Sequence, residues 1–284
     1  MSVALDKIAN FRDVGKTVND YTGRKLMREG ALYRSAFPDD ASAADRRRLV
    51  EEFGVGTIVD LRSSTEHRMR ARKRRAAVEA GDPDPGRIPG VRYYEIALTG
   101  RRFEWFLLGQ LSWWSYLIFF FLFLLGYRTH AIRLVSREVM LPRGLVGMGI
   151  IMLDESGAEI AEILRTLASS SRPVLLHCTQ GKDRTGLIVI LVLLALGAPP
   201  DAVTYDYMLS QEGLSRPGST AIDNREFDRE VGIGLTADWG NAPADFVPRV
   251  LLYLETRHRS IGGYLDGIGI SVAERQQLVE ALGA

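Results

Sequence analysis

Short apolar runs recur along the chain and predict β-strands. These runs are ALYRS (31–35), TIVDL (57–61), VRYYEI (91–96) and PVLLH (173–177). Helical patterns separate them. Within 157–169, for example, apolar residues recur at i, i+3, i+4 and i+7 and define one helix face. Strands that alternate with helices predict an α/β domain, with a central, mainly parallel sheet flanked by helices.

Capping residues predict the first turn of two further helices. Ser42 is followed three positions later by Asp45, and Ser271 by Glu274. A serine hydroxyl can accept a bond from the backbone N–H three residues on, and the carboxylate can accept from the serine N–H. We therefore predict that helices begin directly after Ser42 and Ser271.

A basic stretch and a proline-rich stretch follow each other between the second and third predicted strands. HRMRARKRR (67–75) holds six lysines or arginines, and EAGDPDPGRIPG (79–90) contains the prolines and glycines typical of a loop. The basic stretch is either a solvated helix face or a site for anionic lipid or phosphorylated substrate.

A strongly apolar segment interrupts the pattern. WFLLGQLSWWSYLIFFFLFLLGY (105–127) has 23 residues and no charge, with Arg101 and Arg102 before it and Arg128 after it. Its length would allow one membrane crossing. If the predicted strands 57–61 and 173–177 belong to one sheet, they lie on one side of any membrane, and a single crossing would separate them. We therefore expect 101–145 to be an apolar helical insertion that packs in the core or covers a cleft as a lid, or that contacts a membrane interface.

Composition narrows the remaining possibilities. The 284 residues are enough for one large domain, the net charge of +1 gives no general attraction to nucleic acid, and the single cysteine cannot form an internal disulfide. The N-terminal residues lack the apolar core of a signal peptide. We expect a cytoplasmic protein that contacts membranes at most peripherally.

The single cysteine lies where an α/β fold places its ligands. PVLLH predicts a buried strand and GLIVILVLLALG (186–197) a central helix, so CTQGKDRT is a loop at the carboxyl end of a strand. The backbone N–H groups and the helix dipole there bind anions. Gly181 and Gly186 permit a tight turn, Arg184 adds a forked cation, and Cys178 at the base should ionise easily. A thiolate beneath a bound phosphate is an in-line nucleophile.

The spacing Cys178-x5-Arg184 and the longer string HCTQGKDRTG resemble the cysteine-dependent protein tyrosine phosphatase superfamily. The match is to its bacterial and fungal branch of atypical tyrosine and dual-specificity enzymes, which often hydrolyse phosphoinositides. NFRDVG (10–15), LYRSA (32–36), VDLRSSTE (59–66), DYMLS (206–210) and GGYLDGIGIS (262–271) are similar to other motifs of that branch. The string GK also occurs in Walker-type nucleotide loops, but Leu176 and Asp183 stand where that motif needs glycine and serine or threonine.

The resemblance implies a single phosphatase domain over 1–284 and a set of site residues. Cys178 would attack phosphorus and Arg184 would bind the phosphoryl oxygens. Asp183 would protonate the leaving oxygen, because the segment after VRYYEI, where a separate acid could stand, has no aspartate. The remaining phosphate-binding candidates are Thr179, Gln180, Gly181, Lys182, Thr185, Gly186 and Arg62.

Several of these assignments are more specific. Lys182 would add a second cation for substrates with more than one phosphate, and Thr185 would bond the sulfur. A buried polar network would support the loop, and its expected members are Arg12, Asp13, Arg34, Asp60, Arg62 and Glu66. Of these, Arg62 would also contact the substrate directly. His177 would support the loop by hydrogen bonding. Asp206 and Tyr207 would pack behind it.

The expected reaction is the hydrolysis of phosphate monoesters through a phosphocysteine. Phosphotyrosine is the expected substrate, together with phosphoserine, phosphothreonine and phosphoinositides, and no cofactor or metal is implied. Two alternatives stay open at this point: a catalytically silent module that binds phosphate or phosphoinositide, and a sulfur-transfer enzyme. A nucleic-acid partner is not expected.

Overall fold

The computed structural model describes residues 5–79, 87–215, 234 and 237–284. Five strands form one sheet in the order β1-β2-β5-β3-β4, in which only the β1–β2 pair is antiparallel. This confirms the predicted α/β fold with a mainly parallel sheet. Most of the predicted loop 79–90 lies outside the described residues. The strands are β1 (Arg12–Asp13), β2 (Leu32–Ser35), β3 (Thr57–Asp60), β4 (Arg92–Glu95) and β5 (Val174–His177).

Helices cover the sheet, and those at residues 42 and 271 begin as predicted. Both serines form complete capping boxes, with Asp45 and Glu274 as the reciprocal acceptors. The first helices are α1 (Val14–Thr22), α2 (Ala43–Glu51), α3 (Ser64–Glu79), α4 (Arg101–Gly109), α5 (Trp113–Leu124) and α6 (Arg128–Val135). They are followed by α7 (Leu141–Glu155), α8 (Gly157–Ser169), α9 (Asp183–Ala195), α10 (Pro200–Ser215), α11 (Phe246–His258), α12 (Ile261–Gly267) and α13 (Val272–Leu282).

The centre of the fold is β5 and the helix that follows it. Every residue of β5 is buried between β2 and β3, and α9 is buried continuously from Thr185 to Leu193. From Gly186 onward α9 is apolar on all sides, which agrees with its place in the core. The loop between these two elements is consequently held on both sides by rigid, buried structure.

Parallel pairing brings three strand ends to one edge of the sheet. Ser35, His177 and Asp60 are register partners across β2, β5 and β3. The chain therefore leaves all three strands at the same level, which is where open α/β sheets bind ligands.

The insertion 101–145 divides into a buried part and an exposed part. Phe103, Leu107, Val135 and Val139 join the main hydrophobic cluster, which agrees with core packing. Helix α5 buries none of its residues. None of the helices in the described ranges combines the length and apolarity required to cross a bilayer. A lid function for this insertion stays a prediction.

Candidate active site

The loop 178–182 connects β5 to the N-terminus of α9. Cys178 directly follows the last residue of β5 and is 3 % exposed. Lys182 occupies the N-cap of α9, and a lysine has no acceptor with which to cap backbone N–H groups. The positive end of the helix dipole thus faces the loop and favours a bound anion.

The carbonyl oxygens of the loop are turned outward. Each one, from Cys178 to Lys182, accepts a hydrogen bond from elsewhere in the fold. The donors are His177 Nδ1 to Cys178 (3.1 Å), Phe37 N to Thr179 (3.2 Å), Asn10 Nδ2 to Gln180 and Gly181 (3.0 Å each), and Arg34 Nη2 to Gly181 (2.7 Å) and Lys182 (3.2 Å). In a trans peptide the N–H points opposite to the C=O, so the N–H groups of 179–183 are directed to the inner side of the loop. That is the geometry of an anion-binding nest.

Two glycines make this loop shape feasible. Gly181 has φ +66°, and a Cβ atom built there would lie 2.0 Å from the carbonyl oxygen of Ser35. Gly186 lies in the first turn of α9, where a Cβ atom would lie 2.9 Å from the Tyr207 ring. The first position requires a left-handed backbone and close approach of β2; the second permits close packing of α9 against α10.

Arg184 is oriented by a carboxylate from α3. Its two terminal nitrogens each donate to one oxygen of Glu66 at 2.7 Å, and the Thr179 hydroxyl bonds both side chains. Burial alone would raise the pKa of Glu66, but the charge and the bonds of Arg184 outweigh it and hold that pKa well below its usual range. The guanidinium is therefore a permanently charged group fixed beside the loop, suited to binding phosphoryl oxygens.

A second buried network holds the loop from behind. Asp206 on α10 forms ion pairs with Arg12 and Arg34, and Ser210 accepts from Arg12 at 3.0 Å. Burial would raise the pKa of Asp206, but the charges of the two arginines keep it below its usual value. The predicted position of Asp206 behind the loop and the predicted buried network of the N-terminal motif agree with this arrangement. Arg34 links the network directly to the loop carbonyls.

Asp13 and Arg62 form hydrogen bonds to groups outside the loop. Asp13 caps α1 and accepts from the N–H of Gly30, so it stabilises the α1 region and makes no contact with the loop among the described residues. Arg62 is 5 % exposed and divides its donors between Asp60 and Asp39. Two carboxylates therefore bind its guanidinium, and a direct contact between Arg62 and substrate stays a prediction.

Asp60 and His177 extend the network around Arg62. Burial would raise the pKa of Asp60, but the charges of His177 and Arg62 lower it to about 2. Burial lowers the pKa of His177, and the charge of Asp60 opposes that shift. The bond from its Nδ1 to the Cys178 carbonyl requires the Nδ1-protonated tautomer. This contact agrees with the supporting role expected of His177.

The Lys182 ammonium binds backbone carbonyl oxygens outside the loop. Its ammonium donates to the carbonyl oxygens of Trp239 (2.9 Å) and Asn241 (2.6 Å), and its side chain is fully buried. The expected free cation for a second phosphate is thus engaged by backbone in this structure. Burial lowers the pKa of Lys182. Lys182 therefore joins the loop to the segment that precedes α11.

Asp183 lies at the edge of the site and is partly exposed. Its Oδ2 lies 3.7 Å from the Lys182 ammonium, and its Oδ1 accepts from the Tyr207 hydroxyl at 3.4 Å. Burial raises the pKa of Asp183, which increases the protonated fraction that a general acid needs. The Thr185 hydroxyl is buried and has no hydrogen-bond partner among the described atoms, and its predicted bond to sulfur stays a prediction.

Sequence reasoning missed several residues that shape this site. Asn10 has φ +57° and carries the amide that binds two loop carbonyls; asparagine is one of the few residues that tolerate such a backbone. Glu66 was noted only as part of a supporting network, and Asp39 was not noted. Both bind arginines that are distant in sequence, and no local spacing reveals such partners.

Comparisons with known proteins agree with this geometry. The profile of the tyrosine phosphatase family matches residues 3–284. A protein of Cupriavidus necator, named provisionally as a tyrosine-protein phosphatase, is 28 % identical over 96 % of this chain and 86 % of its own length. The triple specificity protein phosphatase PtpB of Mycobacterium tuberculosis is 27 % identical over 93 % of this chain and 92 % of its own. A tyrosine-protein phosphatase of Nostoc commune is 34 % identical over 42 % of each chain.

Proposed function

Because the chain belongs to the tyrosine phosphatase family, it is a phosphatase, and we propose that Cys178 is its nucleophile. The Cys178 thiolate attacks phosphorus, an S–P bond forms, and the bond from phosphorus to the leaving oxygen breaks. Asp183 donates its proton to that oxygen. Water then attacks the phosphocysteine, Asp183 accepts a proton from it, and the thiolate and inorganic phosphate are released. No electron transfer occurs, and the enzyme returns to its initial state.

The observation that carries this proposal is the outward orientation of the loop carbonyls above Cys178, with Arg184 fixed at the loop's end. Inward N–H groups and a forked cation stabilise three phosphoryl oxygens whose charge is spread in the transition state. Because Glu66 holds the guanidinium before substrate arrives, little reorganisation is needed when the phosphate binds.

We propose phosphotyrosine, phosphoserine and phosphothreonine in proteins, together with phosphoinositides, as substrates. The name of the mycobacterial relative, which includes triple specificity, supports a broad range. The basic helix α3 supports the proposal that the substrates include anionic lipid headgroups, because α3 begins beside the site. Glu66 in its first turn binds Arg184, and Arg70 stacks on Phe37 next to the loop. For Lys182 to contact a second phosphate, its bonds to Trp239 and Asn241 would have to break.

The deciding experiment compares the wild type with Cys178→Ser on an aryl phosphate, a phosphopeptide panel and short-chain soluble phosphoinositides. We expect turnover by the wild type, none by the variant, and a phosphoryl group trapped on Cys178 after acid quench. Phosphate binding with no turnover by the wild type would favour the silent binding module. A label on another residue would exclude Cys178 as nucleophile.

Phosphoinositides are held in bilayers, so we also propose peripheral contact with membranes. The single cysteine, which a reducing compartment keeps as a thiol, supports a cytoplasmic location.

A further inference from the structure

Helix α5 is the most exposed apolar element of the described chain. It has no buried residue, although its sequence WWSYLIFFFLFL contains a single polar side chain besides a tyrosine. Water contact on such a surface is unfavourable by about 25 cal/mol per Å². Contiguous apolar exposure of this kind marks a surface that is covered by something else in function. The most exposed side chains are Trp113 (67 %), Trp114 (72 %), Phe121 (56 %), Leu124 (69 %) and Leu125 (68 %).

The apolar side chains surround the helix instead of forming one stripe. At 100° per residue, the exposed positions 113, 114, 116, 118, 120, 121 and 123–125 cover more than half of the circumference. Ser115, Phe119 and Leu122 are less exposed and lie on the opposite side, and α5 packs on α6. A groove on a protein partner accepts a single face of a helix, typically a narrow stripe. Hydrocarbon accepts a helix from several directions at once.

The ends of α5 carry the residues that prefer the membrane interface. Trp113 and Trp114 begin the helix and Tyr127 follows it, while phenylalanine, leucine and isoleucine fill the middle. Amphipathic aromatic rings are enriched at the level of lipid headgroups. Twelve residues make a helix about 18 Å long, against a hydrocarbon thickness of about 30 Å. The helix can therefore lie within one leaflet and cannot cross the bilayer.

The insertion that contains α5 carries a net positive charge. Residues 101–145 contain six arginines and two glutamates, a net charge of +4 from these groups, and Arg102 pairs with Glu155 outside the insertion. Of the glutamates, Glu138 accepts from the N–H of Ser112 at 2.5 Å and so links the start of α5 to the turn Ser136–Met140. Arg128 lies over the Phe123 ring at 5.4 Å, next to α5. A basic insertion of this kind is complementary to the anionic headgroups of a cytoplasmic leaflet.

We propose that α5 inserts into the interfacial region of an anionic bilayer and docks the enzyme on the membrane. This inference deepens the proposed function, because it names the membrane partner that a phosphoinositide phosphatase meets. The backbone N–H of Leu98 donates to the carbonyl oxygen of Leu61 at 3.3 Å, so α3, which begins at Ser64, and the insertion, which begins at Arg101, both start from the same edge of the sheet. Insertion of α5 would bring the basic helix, and the site at its N-terminus, toward the headgroups.

The test uses the full chain and vesicles of phosphatidylcholine with and without phosphatidylserine, which contain no phosphoinositide. We expect the wild type to float with the anionic vesicles and Phe121→Asp/Leu124→Asp to bind about 100-fold more weakly, since each loses the burial of one large apolar side chain. Leu252→Asp on α11 is the matched control, because Leu252 is a similarly exposed leucine (53 %) outside the insertion. It should bind like the wild type.

Aryl phosphate hydrolysis separates this inference from the proposed function. All three proteins should hydrolyse it equally, which also shows that the variants are folded. As a second measurement, brominated acyl chains should quench the tryptophan fluorescence, and Trp113→Phe/Trp114→Phe should abolish most of the quenching. Active wild-type enzyme that does not float, or floats equally well after Phe121→Asp/Leu124→Asp, overturns the docking surface and leaves the phosphatase intact. A wild-type dimer that this double variant dissociates would assign the surface to a second copy and also overturn it.

Discussion

Gly181 gives the sharpest test of the loop geometry. Replacing it with alanine adds one methyl group at a left-handed backbone position, φ +66°, directly against the carbonyl oxygen of Ser35 on β2. Ser35 is fully buried and lies in the sheet, so it has little freedom to retreat. The loop therefore has to move, and the N–H groups on its inner side move with it.

The expected size of the effect follows from two contributions. A non-glycine residue in the left-handed region costs about 1–2 kcal/mol. In addition, the new Cβ would lie 2.0 Å from the Ser35 oxygen, whereas non-bonded atoms sit about 3.5 Å apart, so the loop must move by roughly 1.5 Å. A displacement of about 1 Å in a catalytic group costs on the order of 10²-fold in rate. We expect kcat/KM to fall by at least that factor.

Gly197 provides the control for backbone strain alone. It has φ +73°, and a Cβ atom there would meet nothing within 4 Å. Gly197→Ala should lose about 1–2 kcal/mol in the free energy of unfolding, measured in urea, and keep its kcat/KM on an aryl phosphate. Gly181→Ala should lose more unfolding free energy than Gly197→Ala, and its kcat/KM should fall. If Gly181→Ala retained kcat/KM within about threefold of the wild type, the close approach of loop and β2 could not be what shapes the site.

Three further predictions concern the charged groups around the loop. Glu66→Gln should lower kcat/KM by about 10²-fold by freeing Arg184 from its fixed orientation; unchanged steady-state kinetics would contradict this. In the wild type, kcat/KM for a phenyl phosphate should decline as rising pH removes the proton of Asp183, whose pKa is raised. Asp183→Asn should remove this decline, and the substitution should matter less for a substrate with a better leaving group. A decline that persists in the variant would reject the acid role. Asp206→Asn should cost about 3 kcal/mol of unfolding free energy at neutral pH by leaving two buried arginines unpaired. Because the pKa of Asp206 is lowered in the folded state, its contribution to the free energy of unfolding is complete above about pH 5 and is lost as the pH falls through that pKa. The denaturation curves of wild type and variant should therefore converge in acid. A difference that stays constant with pH would contradict the assignment.

The sequence by itself determined the architecture around the reaction centre. Alternating short apolar runs and amphipathic patterns predicted the parallel sheet, and the capping serines at 42 and 271 predicted the starts of two helices. The string from His177 to Gly186 predicted Cys178 as the nucleophile and the surrounding loop as the anion-binding site. These features depend on residues close together in the chain, because backbone hydrogen bonding and side-chain periodicity act over a few positions.

Only the tertiary structure decided which charged groups meet. Glu66 and Arg184 are 118 positions apart, and Asn10 reaches loop carbonyls about 170 positions away. Arg62, a predicted substrate contact, is bound by Asp60 and by Asp39, which follows β2, two strands away from β3 at the same sheet edge. Such pairings arise because parallel strands end together and side chains then compete for partners in a space with little water. The order of the strands in the sheet sets that competition, and the sequence pattern of a single strand does not encode that order.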